Sequence, residues 1–405
     1  MPSYRPLIRE IACPPSALHA FSAVRDRPGA ILLQSAAAEP KLGRWSFLAS
    51  DPFLTFRSKG TRVQIHRPDG IEAREGDPFA VLRDLLADLR VERPPDAPPL
   101  ISGAIGYFAY DLGRFVERIP EDTVDDIPVA DCHLGFYGAV AAIDHVESRS
   151  FVSAIGAPET DPRAAQRLSE DRAAELTVRL VRTSEAPHLA ETSSCHSERQ
   201  RRILVPTSPS TRVPALPVTS NFTHADYIGA VARAKEYIAA GDIYEVNLSQ
   251  RLSAPLATTP FGLYRRLART NPAPFAAFFE TPDCAVVSCS PERFLQVRGR
   301  DVETRPMKGT RARGATSEED ARLAVELVNS IKDRAENVMI VDLERNDIGR
   351  VCEFGSVHVP ELFVLETYAT VHQLVSTVRG RLRPDATSVD CLRACFPGGS
   401  ITGAP

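Results

Sequence analysis

Residues 186 to 220 run APHLAETSSCHSERQRRILVPTSPSTRVPALPVTS, a stretch of Ser, Thr, Pro and Arg with few large apolar side chains. Such a composition cannot bury enough surface to offset the entropy lost on ordering. It predicts a disordered linker or insertion, and it makes the basic cluster Arg199, Arg201 and Arg202 a solvated one rather than a nucleic-acid patch. The foldable sequence is thereby divided into an N-terminal domain over 1–185 and a second domain over 221–405.

The two parts have the composition of ordinary globular sequence. Hydrophobic residues are 43% and charged residues 25% of the 405, enough to bury a core without disulfides or a structural metal. A net charge of −4 argues against a nucleic-acid or membrane-surface partner. The eight cysteines show no paired CxxC spacing, which predicts reduced, mostly buried thiols. Arg5, Arg9 and Glu10 interrupt any apolar signal at the N-terminus, and no run approaches the roughly 18 apolar residues of a membrane span. A cytoplasmic protein is expected.

Residues 1 to about 160 are rich in short strand-like runs: Ala30 to Leu33, Trp45 to Leu48, Thr61 to Ile65, Ile101 to Tyr110 and Phe136 to Ile143. Helices are predicted from Pro78 to Leu89 and from Pro162, capped by Asp161, to about Leu180. After the linker, Thr223 caps a helix with the apolar stripe Tyr227, Val231, Ala234 and Ile238, which Gly241 ends. Strands follow at Ile243 to Leu252, Ala276 to Phe279, Ala285 to Ser288 and Phe294 to Val297. Ser317 opens a long helix to about Ile340, and Thr387 or Ser388 caps a short one ending near Cys395.

Five features between Ser290 and Pro405 could carry chemistry. Glu292 stands just before an apolar strand, as a solvated strand end or as a general acid or base. Lys308, next to Gly309 and Thr310, is a surface lysine or a nucleophilic amine in a loop that can approach a ligand. Asp333 and Glu336 lie three apart on one helix face, with Glu326 seven residues earlier. They form an exposed acidic face paired with Lys332 and Arg334, or a site for a hard cation such as Mg²⁺. His372 lies in an apolar strand, where a satisfied core histidine is the ordinary outcome. The terminal loop PGGSITGAP can offer backbone N–H groups to an anion, but Ala404 stands where a nucleotide P-loop needs Lys.

The blocks SPERFL, ETRPMKGTRARG, RAENVMIVDLERNDIGRV, TVHQLVSTVRG and PGGSITGAP together resemble the chorismate-utilising enzymes. YIAAGDIYEVNLSQ, GAIGYFAYDLGR and ILLQS with GRWSFLASDP extend the resemblance to nearly the whole chain outside 186–220. The resemblance implies an α+β fold, with large antiparallel β-sheets in a sandwich-like core and helices outside. Lys308 separates the branches, because anthranilate synthases have a small alanine there and aminodeoxychorismate synthases a lysine. The implied reaction is attack of Lys308 on C2 of chorismate, loss of the C4 hydroxyl, and addition of ammonia at C4. Glu292 is implied as the acid/base at the C4 oxygen and Glu336, with Asp333 beside it, as the Mg²⁺ site. His372 is implied as the active-site histidine. Gly309, Thr310, Ser400, Thr402 and Gly403 are implied as substrate-contacting positions. A separate glutaminase (glutamine amidotransferase) subunit is implied as the ammonia source.

Family members continue past GAP with a lysine, a helix and a second Mg²⁺-binding glutamate. The resemblance therefore predicts that the chain is C-terminally truncated and a poor or inactive enzyme. Two alternatives accompany the main expectation: anthranilate synthase or another chorismate enzyme, and an inactive remnant that binds only the glutaminase subunit.

Overall fold

Alternation of apolar and polar residues commits much of the first half to strands. In Leu54–Lys59 and Arg62–Arg67, for example, Leu54, Phe56, Val63 and Ile65 point to one side and are buried. A computed structural model describes residues 3–12, 14, 16–36, 42–120, 123–185 and 217–404. Most of the expected linker, residues 186–216, lies outside the described residues.

Two antiparallel sheets face each other. The first has seven strands in the order Ala285–Ser290, Phe275–Glu280, Ile31–Gln34, Trp45–Ala49, Ala139–Asp144, Arg149–Ala154 and Leu7–Ile11. The second has five: Gly70–Glu75, Arg62–Arg67, Leu54–Lys59, Cys132–Tyr137 and Gly103–Phe108. Ile31, Ala49, Val140 and Phe279 of the first meet Ile105 and Tyr137 of the second. Outer faces are covered by helices. Helix Pro162–Glu185 and the smaller Ala17–Ser22 and Pro260–Thr270 cover the seven-stranded sheet around Phe21, Leu32, Tyr264 and Phe278. Pro78–Ala87 covers the five-stranded one around Phe56, Phe79 and Phe136. Each such fully buried side chain contributes roughly 1.5–3 kcal/mol.

The run Phe136 to Ile143, expected as one strand, is two strands in different sheets. Gly138 is the turning point, because a Cβ there would lie 2.3 Å from Arg172 Nη1. That guanidinium is fixed by the carbonyls of Ile155 and Ala157, to which Nη1 donates at 2.8 and 2.6 Å. The seven-stranded sheet also draws on both sides of the 186–220 segment, since Phe275–Glu280 pairs with Ile31–Gln34.

A third antiparallel sheet is built around the long strand Val371–Arg381. Asp301–Thr304 and Met307–Ala312 pair along one edge of it and His358–Thr367 along the other. Its inner face packs on helix Ile331–Gly349 through Val302, Val378, Val341 and Ile348, with Cys391 and Cys395 from Ser388–Cys395 closing the cluster. The described cysteines are all free thiols.

The single helix expected from Ser317 to Ile340 is two, Ser317–Asn329 and Ile331–Gly349. Ser330 sits between them in an extended conformation and its side chain accepts from Asp333 N, so it ends one helix by capping the next. Helix His224–Ala240 is bounded as expected by Thr223 and by left-handed Gly241. Its apolar stripe is only half-covered, and Ile238 is 44% exposed. Ile243 to Leu252 is not a continuous strand: only Glu245–Val246 and Leu252–Ser253 pair. Among the described residues no helix is long and apolar enough to cross a membrane.

Candidate active site

Lys308 lies not in a loop but in a β-bulge. Met307 pairs with Val375 and Thr310 with Gln373, so three steps on one strand match two on the other. Gly309 makes the bulge possible, with φ at +90° and helix Ile331–Gly349 so close that a Cβ would lie 2.8 Å from Asp333 Cβ. A bulge re-aims the side chain it carries. Here Lys308 Nζ donates to Glu245 Oε1 at 2.7 Å in a partly buried pair.

Glu245 owes its place to the terminal loop. Glu245 pairs with Ala404 and Val246 with Gly403, in a two-residue antiparallel bridge. Gly403 allows this approach, because a Cβ there would fall 2.2 Å from Glu245 O. The Asn247 N–H donates to Thr402 O at 3.0 Å and its side-chain amide to Ser400 O at 3.3 Å. The loop is anchored from below as well, since Gly399 sits directly on Leu343.

Glu292 is reached from the same loop. Its carboxylate is hydrogen-bonded by the Ser400 side chain and by Met307 N at 3.3 Å, and Lys308 is near enough to act on its charge. Burial outweighs these contacts and raises its pKa. Glu245, Glu292, Lys308 and Ser400 thus converge from four separate segments. An amine held beside one carboxylate, with a second, more easily protonated carboxyl across from it, can combine nucleophilic attack with proton donation to a leaving group.

Sequence reasoning missed Glu245 although it lies in a matching block, because nothing local marks it; only the pairing to 403–404 does. It also missed Glu344, which is 6% exposed. Burial pushes its carboxyl up to about 8, with Glu292 and Asp347 adding to the effect. Thr304 Oγ1 lies 2.6 Å from Glu344 Oε2 and 2.7 Å from Phe294 O, which suits a neutral carboxyl at one end of a relay. Below the ordinary value of 4.5 both folded and unfolded chains hold this proton. As pH rises toward 8 only the folded chain keeps it, so stability falls by up to about 1.4 kcal/mol per pH unit in that window. Glu344→Gln is expected to flatten the decline in melting temperature between about pH 5 and pH 8. An identical slope in the variant would contradict the assignment.

The other expected residues are placed as follows. His372 is 3% exposed on the face of its strand that turns toward the two helices. Its ring nitrogens are engaged at 2.9 Å by Thr367 Oγ1 and Asp320 Oδ1, which leaves neither for a substrate. Its neighbour Gln373 points to the opposite face, across from Thr310, and its buried Oε1 has no hydrogen-bond partner among the described residues. Thr310 is exposed, and Thr402 Oγ1 turns back to Gly398 O at 3.2 Å. Asp333 and Glu336 do not form a two-carboxylate cation site. Arg311 Nη2 holds Asp333 at 3.0 Å and Arg311 Nε holds Glu326 at 2.9 Å. Glu336 pairs with Lys332 at 3.5 Å and keeps a side chain 38% exposed. Among the described residues no group of three or more His, Cys, Asp or Glu is placed to hold a metal ion. Glu336 has no arginine partner among the described residues and could serve as a single ligand.

This convergence of an amine, two carboxyls and a hydroxyl on an α+β frame of antiparallel sheets is the site of an enzyme. The family of chorismate binding enzymes matches residues 30–405, and the chain belongs to it. Aminodeoxychorismate synthase component 1 of Klebsiella aerogenes is 37% identical over 97% of this chain and 79% of its own length. The protein of the same description from Bacillus subtilis is 37% identical over 93% of this chain and 74% of its own. The crystal structure of anthranilate synthase component I from Streptococcus pneumoniae superposes with a TM-score of 0.70 at 27% identity, covering 91% of this chain and 76% of that one.

Proposed function

We propose that the protein converts chorismate and ammonia to 4-amino-4-deoxychorismate, the step toward p-aminobenzoate and folate. Lys308 carries this reading: an amine set in a bulge, 2.7 Å from Glu245, in a chain 37% identical to aminodeoxychorismate synthase component 1. Glu245 accepts a proton from the Lys308 ammonium, which frees the amine to attack C2 of the ring. Both conjugated ring double bonds shift and the C4 hydroxyl departs, taking a proton from Glu292 to leave as water. The raised pKa of Glu292 favours the protonated form that this step needs. Ammonia then adds at C4, both double bonds return to their first positions, and the C2–N bond breaks to release Lys308.

Ser400, beside Glu292, would orient the ring. Mg²⁺, with Glu336 as one ligand, would neutralise a substrate carboxylate. Ammonia is proposed to come from a separate glutaminase subunit, in keeping with the relatives' description as component 1.

The test is turnover of chorismate with Mg²⁺ and ammonium, with products identified by mass spectrometry. The expected product is 4-amino-4-deoxychorismate with its enolpyruvyl group retained, and EDTA is expected to suppress it. Anthranilate with pyruvate would overturn the assignment.

A further inference from the structure

A cleft of about 570 Å³ opens where the five-stranded sheet faces the end of the seven-stranded one. It is lined by none of the residues of the Lys308 site. Its size falls within the roughly 300–1,000 Å³ of small-molecule sites. Strand register sets its chemistry. Thr55 pairs with both His66 and Gly135, and Arg57 pairs with His133, so these side chains share the inward face. Gly135 contributes no side chain, and the Tyr137 ring fills that space; a Cβ there would lie 2.7 Å from Tyr137 Oη. Ile105 and Phe279 supply an apolar wall.

Arg57 Nε, His66 Nε2 and His133 Nδ1 are all buried and have no hydrogen-bond partner among the described residues. Buried polar atoms are nearly always paired, so three orphans on one cavity wall need an explanation. Elsewhere the two sheets meet through apolar side chains. The other end of Arg57 is satisfied, since Nη2 donates to Asp283. At the rim, Asp51 is neutralised by Arg27 at 2.9 Å. Burial, with Arg57 alongside, lowers the pKa of both imidazoles, that of His133 to about 4. Each ring is therefore neutral near pH 7 and free to adopt the tautomer that turns an N–H toward an acceptor.

We propose that this cleft is a second binding site, for a small carboxylate with a flat apolar body of about one ring. The carboxylate accepts from Arg57 Nε and the two imidazoles, and the ring lies along Ile105 and Phe279. A carboxylate suits the wall because it brings acceptors only, and all three orphans can donate. The site is independent of the chemistry at Lys308.

The test uses the whole chain and benzoate as the probe, with benzamide as its uncharged counterpart. The imidazole C–H resonances of His66 and His133 are assigned by H66N and H133N and followed by NMR during titration. Benzoate is expected to move both resonances at millimolar concentration or below, and benzamide to bind at least tenfold more weakly. R57Q is expected to weaken benzoate binding at least tenfold while chorismate turnover is unchanged. Overturning results are a benzoate titration that leaves both resonances still, equal binding of benzamide, or unchanged affinity in R57Q. The wild-type titration decides the matter even if R57Q folds poorly, and none of these readings depends on which product is made at Lys308.

Discussion

Lys308→Ala is expected to lower formation of 4-amino-4-deoxychorismate by at least about a thousandfold, because the proposed route passes through a bond to this amine. The alanine variant alone would not separate a nucleophile from a positioning charge, since it also strips Glu245 of its partner at 2.7 Å. Lys308→Arg makes the separation. A guanidinium keeps the positive charge near Glu245 and stays protonated, so it cannot attack C2. Both variants are expected to fall to a similar low rate, with the arginine form nearer the wild type in melting temperature. If the arginine form keeps more than about a tenth of the wild-type rate, the covalent route is wrong and the lysine acts through its charge. A wild-type adduct trapped under ammonia-free conditions, with a mass gain equal to chorismate less water, would locate the bond directly.

Gly403→Ala is expected to lower turnover by about a hundredfold or more while leaving the rest of the fold intact. The cause is steric. Gly403 has φ of +122°, and a Cβ there would lie 2.2 Å from Glu245 O and 2.9 Å from Val246 Cα. The two-residue bridge between 245–246 and 403–404 cannot close around a methyl group. When it opens, Glu245 leaves Lys308, and the loop that brings Ser400 to Glu292 is released with it. The large sheets do not depend on this bridge, so the melting temperature should drop by only a few degrees while the rate collapses. A rate within threefold of wild type would show that the bridge does not position the site.

Local signals fared well where the deciding contact lies within one turn or one strand. Thr223, Thr387 and Gly241 bound their helices as expected, because a cap joins atoms three or four residues apart. The matching blocks around Lys308, Glu292 and Ser400 were equally legible, and three of the four converging residues could be named from them. The errors share a cause. Ser330 breaks a helix that periodicity runs straight through, since a serine can sit inside a helix or cap the next one. Gly138 passes the chain from one sheet to another because Arg172, from a distant helix, occupies the space beside it. His372 and Gln373 are neighbours on a strand, so a one-residue choice decides which of them faces the helices.

The sequence by itself determined the family, the α+β class, Lys308 and Glu292 as candidates, and the caps of several helices. Each is written in contiguous residues whose effect is local or whose order is specific. Tertiary structure alone decided that Glu245 partners Lys308 across 63 positions, that Arg311 pairs with Asp333, and that Glu344 is buried beside Glu292. It alone set Arg57, His66 and His133 on one cavity wall. A charge's partner and a carboxyl's pKa depend on which surfaces exclude water around them, and those surfaces come from strands far apart in the chain.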